Sequence, residues 1–173
     1  MPFAVLSPHP ESPCAVLRSI EVLVEHASAD MLAITFILDG KIDELRIPPP
    51  RSPRVADRLW QHTCCEIFIA PREGAGYHEY NFSPSGEWAA YEFRAYRQGA
   101  PVQTRAPAIE VQRSARRLQL TARVEAIGSR LGIAAVIEAA DGALSYWALR
   151  HAPGKPDFHH PTTFALDLHE IRH

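Results

Sequence analysis

Apolar and polar residues alternate along this chain with a period of two, in short runs separated by turn residues. Arg117 to Glu125 shows the pattern best: Leu118, Leu120, Ala122 and Val124 face one way, and Gln119, Thr121, Arg123 and Glu125 the other. Runs of this kind predict strands over Leu17 to His26, Met31 to Asp39, Ile42 to Ile47, Cys64 to Ala70, Tyr77 to Ser83, Glu87 to Arg97, Ile109 to Arg113, Arg117 to Glu125, Gly132 to Ala139, Leu144 to His151 and Thr163 to Leu168. No helical stripe of any length competes with them. Fifteen prolines and nine glycines cut the runs apart, and Asp39-Gly40, Ser85-Gly86 and Asp141-Gly142 are tight-turn signals between them. The reading is an all-β chain of about ten to eleven antiparallel strands, enough for two packed sheets. The polar, Pro-rich connection PPPRSPRVADR reads as a loop with a short helical turn around Val55 to Leu59.

Composition narrows the function classes. The 173 residues, 46% apolar and 22% charged, suit one domain, residues 1–173, with a core that needs no metal or disulfide. A net charge of −2, with Arg113, Arg116 and Arg117 as the one basic cluster, supplies no footprint for nucleic acid or an anionic membrane. The opening MPFAVLSPHPESPC has neither the basic nor the apolar region of a secretory signal, and no apolar run is long enough to span a bilayer. Three cysteines, an odd number, fit a reducing compartment. The expected location is cytoplasmic.

Candidate chemistry concentrates between Leu59 and Arg97. Alternation in CCEIFIA sends Cys65, Ile67 and Ile69 to the core and turns Glu66 and Phe68 outward. In YHEYNFS, Tyr80 and Phe82 go inward, and Glu79 and Asn81 outward. In EWAAYEFRAYR, the expectation is Tyr91 and Phe93 inward, with Trp88, Glu92, Arg94 and Tyr96 outward. Side by side, these outward sets offer rings to stack on a sugar's C–H face and amide, carboxylate and guanidinium groups to hold hydroxyls. The same residues equally describe a solvated sheet face with cross-strand ion pairs. A second cluster, Trp147, His151, Lys155, Asp157, His159 and His160, lies on a strand end and a Pro-Gly loop, where binding groups gather. In HTCCE, His62, Cys64 and Glu66 share a strand face, but a zinc site needs a further ligand from elsewhere, such as His78 or His159. Ser83 and Ser85 sit on a strand–turn–strand and lack a nucleophile elbow. No arranged catalytic set is evident, and enzymatic activity is not expected.

The runs LWQHTCCEIFIA, YHEYNFSPSGEWAAYEFRAYR and YWALRHAPGKPDFHHPTTFALDL together resemble bacterial DOMON-like proteins related to family 9 carbohydrate-binding modules, over about Leu17 to Leu168. The resemblance implies a jelly-roll-like β-sandwich whose relatives bind sugars or haem. It implies a sugar end held between aromatic rings, for which Trp60 and Trp147 are the expected clamp, with Trp88 as an alternative. Relatives use structural calcium, but no Asp-rich loop is present here; a haem ligand set would rest on Met31, histidines or Lys155. The expectation is a non-catalytic domain with no cofactor, binding a small molecule, a saccharide or sugar-containing metabolite. Its ligand-binding residues would be Trp60, His62, Glu66, Asn81, Trp88, Arg94, Trp147, His151, Lys155 and His160. The competing classes are a haem or metal protein and a protein-interaction module, and the sequence sets no oligomeric state.

Overall fold

The computed structural model describes residues 3–171. Among them, twelve strands form: β1 (Phe3–Pro8), β2 (Leu17–Ser28), β3 (Met31–Gly40), β4 (Cys64–Ala70), β5 (Tyr77–Phe82), β6 (Trp88–Ala95), β7 (Gln98–Pro101), β8 (Ala108–Arg113), β9 (Arg117–Glu125), β10 (Arg130–Glu138), β11 (Leu144–Ala148) and β12 (Leu166–Asp167). They hydrogen-bond in the order β7-β6-β5-β4-β10-β11-β1-β2-β3-β9-β8, with β12 on β10, and all these ladders are antiparallel.

The ladder doubles over at β1. Phe3 to Leu6 pair with β2, whereas Ser7 and Pro8 pair with Ala148 and Trp147 of β11. One half, β1-β2-β3-β9-β8, therefore faces the other, and a single core joins Ile20, Val22, Phe36 and Leu120 to Ile67, Phe82, Ile133 and Trp147. This is the antiparallel β-sandwich that the period-two pattern predicts, with each inner face apolar. The prolines of the opening segment hide β1 in the sequence: Pro8 can sit there because it closes the strand, where a missing N–H costs least.

Two expected strands take other forms. Ile42 to Ile47 is a 3₁₀ turn over Ile42–Glu44 followed by a lone bridge from Leu45 to Ala139. Ile42 and Leu45 are buried while Asp43 and Glu44 are exposed, a three-residue spacing that matches the 3₁₀ repeat and not a strand. Thr163 to Leu168 keeps only the two-residue β12, preceded by a 3₁₀ turn at Pro161–Thr163. The helical turn expected around Val55 to Leu59 lies at Leu59–Gln61.

The two halves differ in how they meet solvent. On β9 the outward residues are partly open, in the expected alternation. On β4 every residue is buried, and on β10 all but the first. Both faces of these two strands are covered: the inner by the sandwich core, the outer by the segment 149–165. Phe164 docks that segment on the sheet, stacking on Phe68 with ring centroids 5.9 Å apart. A Cβ at Gly132 would stand 2.8 Å from the Phe164 ring, so glycine is what lets the ring lie flat on β10.

Trp147 is 3% exposed, and its indole N–H donates to Ser145 Oγ at 3.0 Å inside the sandwich. Trp147→Ala should lower stability by about 3–5 kcal/mol in chemical denaturation, as truncation of a core aromatic does. A loss below about 1 kcal/mol would place this ring outside the core.

Candidate functional site

The outer face of the covered sheet carries a cavity of about 590 Å³. Its floor is built by register. Glu66 on β4 lies opposite Asn81 on β5, and Phe68 opposite Glu79, so the two carboxyl groups are diagonal neighbours on adjacent strands. Glu79 in turn pairs with Tyr91 of β6, and Tyr77 with Phe93, which carries both β6 rings onto the same face. Val136 of β10 and Tyr146 of β11 complete the floor, while Trp60, Lys155, Pro156, Phe158 and His159 form walls and rim.

Segment 149–165 is held over this floor by polar ties. Arg97 donates from Nη2 to Asp157 Oδ1 at 2.9 Å, and the Tyr96 hydroxyl donates to Asp157 Oδ2. Arg97 itself has a left-handed backbone, φ 55°, uncommon for a residue with a side chain. That conformation aims its amide at the Tyr77 hydroxyl, 3.1 Å away. Tyr77 accepts there, and its own proton can go to His159 Nδ1 at 2.8 Å. This leaves the ring proton of His159 on Nε2, which faces Glu79 Oε2 at 3.8 Å. The imidazole is gripped edge-on by Phe68 and Phe93, with centroids 5.1 and 5.0 Å away.

Burial governs the electrostatics. Glu66 is 3% exposed and Glu79 5%. Burial first, and the neighbouring Glu79 second, push the Glu66 carboxyl well above the usual range. Burial raises Glu79 to about 7 despite a hydrogen bond from Asn81 and the charge of Arg97. Burial lowers His159 to about 4, with the Arg97 charge adding to the effect. Burial therefore favours the protonated form of the carboxyl pair and the uncharged form of the imidazole beside it.

The expected site residues divide. Trp60, Glu66 and Lys155 line the cavity. Asn81 pairs in register with Glu66 on the same face, and its amide donates to Glu79 Oε1 at 3.1 Å. The other six stand elsewhere. Trp147 and Trp88, 6% exposed, are packed in the sandwich core, so the expected Trp60–Trp147 clamp does not form. Arg94 points to the opposite side of β6, into a shallow groove beside β7. His62 turns away to Glu138, Nδ1 to Oε2 3.2 Å. His151 is tied to the Ser7 carbonyl at 2.7 Å, and His160 caps the 3₁₀ turn at Thr162.

The β6 error has a definite cause. Tyr91 and Phe93 were expected inward because rings usually belong to cores, but strand phase is set by the turn. Phe82 faces Trp88 across the five residues Ser83 to Glu87, and the core tyrosine Tyr80 therefore faces Ala90. The turn is fixed by Ser85 Oγ donating to Glu87 Oε1 at 3.0 Å, by Arg54 donating to Glu87 Oε2 at 2.7 Å, and by Gly86 at φ 90°. Small Ala89 and Ala90 after Trp88 were the available signal that the rings further on belong to another layer. Among the described residues no group of three or more His, Cys, Asp or Glu could hold a metal ion. No helix there is long and apolar enough to cross a membrane.

No model of a known protein family matches the chain, and no curated protein matches it in sequence. A solved structure does match: a putative carbohydrate-binding protein from Bacteroides uniformis ATCC 8492, with a TM-score of 0.69 over 94% of this chain and 84% of that one, at 10% identity. Likeness at that identity is a likeness of fold, and it spans both sheets.

The buried carboxyls make stability depend on pH in a direction that can be measured. Glu79 binds its proton more tightly folded than unfolded, so its contribution is present at low pH and lost as pH rises from 4.5 toward 7. His159, depressed from 6.5 to about 4, runs the other way and offsets Glu79 up to about pH 6.5. Above that Glu79 is no longer offset, and Glu66, raised by the same burial, acts in the same direction. Stability should fall as pH rises past about 6.5, where the His159 offset is complete and Glu79 is still titrating. In Glu66→Gln/Glu79→Gln thermal denaturation should show no such fall; an equal fall in the variant would assign the effect to other groups.

Proposed function

We propose that this protein is a non-catalytic binding domain for a small saccharide or sugar-containing metabolite, akin to the DOMON-like proteins related to family 9 carbohydrate-binding modules. The observation that carries the reading is the cavity on the outer sheet face, where Trp60, Tyr91, Phe93, Tyr146 and Phe158 surround a buried polar floor. Volume and lining match a small-ligand pocket, mostly apolar with a few fixed polar groups. Rings supply stacking surfaces for a sugar's C–H face, and Glu66, Glu79 and Lys155 supply directional partners for hydroxyls. The name of the Bacteroides protein of the same fold points to the same ligand class.

Catalysis fits the layout less well. Glycoside hydrolysis needs one carboxyl held as acid and the other ionised at neutral pH, whereas burial raises both Glu66 and Glu79 above the usual range. Haem ligation through His159 fits poorly too, because Tyr77 occupies Nδ1 and Nε2 faces a carboxyl group.

Of the three tryptophans, Trp60 alone lines the cavity, at 47% exposed. A titration with mono- and disaccharides should therefore change a tryptophan emission that Trp60→Phe removes. Trp60→Ala and Tyr91→Ala should each weaken binding by about tenfold. Trp60→Ala should leave Tm within about 2 °C, since an exposed ring contributes little to the core. Emission indifferent to the whole panel would overturn the saccharide reading.

A further inference from the structure

Glu66 is the anomaly of the cavity. It is 3% exposed, yet its carboxyl group accepts no hydrogen bond and joins no ion pair among the described residues. Buried carboxyls ordinarily have such partners. Here the group faces the cavity instead. Beside it, Glu79 has only Asn81 as a hydrogen-bond donor, with His159 Nε2 at 3.8 Å.

The surrounding charges do not complete the pair. Arg97 lines the cavity, but its guanidinium is held by Asp157, Nη2 to Oδ1 2.9 Å. His159 is uncharged at neutral pH. Tyr77 gives its proton to His159, and Tyr91 reaches Asp57 at 3.4 Å, so neither hydroxyl is spent on the carboxyls. Cys64, on the same face of β4, is a buried thiol whose own ionisation burial suppresses. Lys155 stands on the exposed rim segment. Among the described residues no Lys or Arg therefore pairs with Glu66 or Glu79, while Tyr91, Phe93, Tyr146 and Phe158 line the space above them. Carboxylates below and aromatic π faces around are the two features that stabilise a desolvated organic cation. A neutral sugar meets this floor with hydroxyl hydrogen bonds alone, whereas a cation adds its charge to them.

We infer that the ligand carries a protonated amine, as an amino sugar does, and that Glu66 together with Glu79 is its counter-ion. The inference rests on the saccharide reading for the rest of the ligand, but the amine and the sugar parts can be tested apart. A hydroxyl needs one acceptor or donor at each lone pair, whereas an ammonium group offers three donors and a full charge to the same floor. Its binding would release the proton that the carboxyl pair holds.

Calorimetric titration of the full chain near pH 6.5 with glucosamine, glucose, N-acetylglucosamine and cyclohexylamine separates the cases. Glucosamine should bind at least about tenfold more tightly than glucose or N-acetylglucosamine, the first lacking the amine and the second its charge. Glu66→Gln/Glu79→Gln should erase that preference, and Glu92→Gln, an exposed carboxylate on the opposite face of β6, should keep it. Equal affinity for glucose and glucosamine overturns the amine inference and leaves the saccharide pocket standing. Binding of cyclohexylamine with no binding of any sugar supports the amine site and overturns the saccharide reading. No binding by any of the four overturns both. The panel on the unmodified protein decides these outcomes even if the double variant fails to fold.

Discussion

The docking of segment 149–165 on the outer face of β4, β5 and β10 is the constraint on which the rest depends. A sandwich needs only one buried face per sheet, and the other half of this molecule is built that way, with polar residues of β9 in partial contact with solvent. Once Phe164 seats over Gly132 and Phe68, β4, β10 and most of β5 lose solvent on both sides. Residues that would be ordinary surface carboxylates then stand in a low-dielectric space. Their charge becomes costly, and they hold protons at pH values where exposed carboxyls hold none.

That burial has the character of a functional compromise. A core selected for stability alone would fill the space over Glu66 and Glu79 with hydrocarbon and replace both carboxyls. Here the cavity is kept, and so are two groups whose ionisation opposes folding. Natural proteins accept local instability of this kind where a site must be poised for a partner. The ties that hold the cover are placed accordingly. Arg97 in a left-handed conformation, Asp157, Tyr96 and Tyr77 form one hydrogen-bonded group at the junction of β6, β7 and the covering segment. Strain and hydrogen bonding meet at the rim of the cavity, where they fix its shape.

The saccharide and amine readings describe two parts of one pocket. Rings recognise shape and C–H surface with little regard to charge, whereas a floor whose carboxyls have no Lys or Arg partner among the described residues discriminates by charge. Selectivity among chemically similar small ligands would then come from the floor and affinity from the walls.

Periodicity in the sequence determined the all-β class, most strand positions and the inward faces of β4 and β5. Those are consequences of backbone pleat, which forces successive side chains to opposite sides whatever the tertiary context. It also turned Glu66, Glu79 and Asn81 to the one face of β4 and β5 that the structure lays under the cavity wall. It could not reveal which outward face would be covered, because a period of two distinguishes one side from the other and not water from protein. Nor could it set the phase of β6, which a buried Ser–Ser–Glu turn and Arg54 decide. Trp88 and Trp147 read as binding rings because an indole suits a core and a sugar face equally well. Only the folding of the ladder at β1, which lays one sheet on the other, enclosed them and left Tyr91 and Phe93 over the carboxyls.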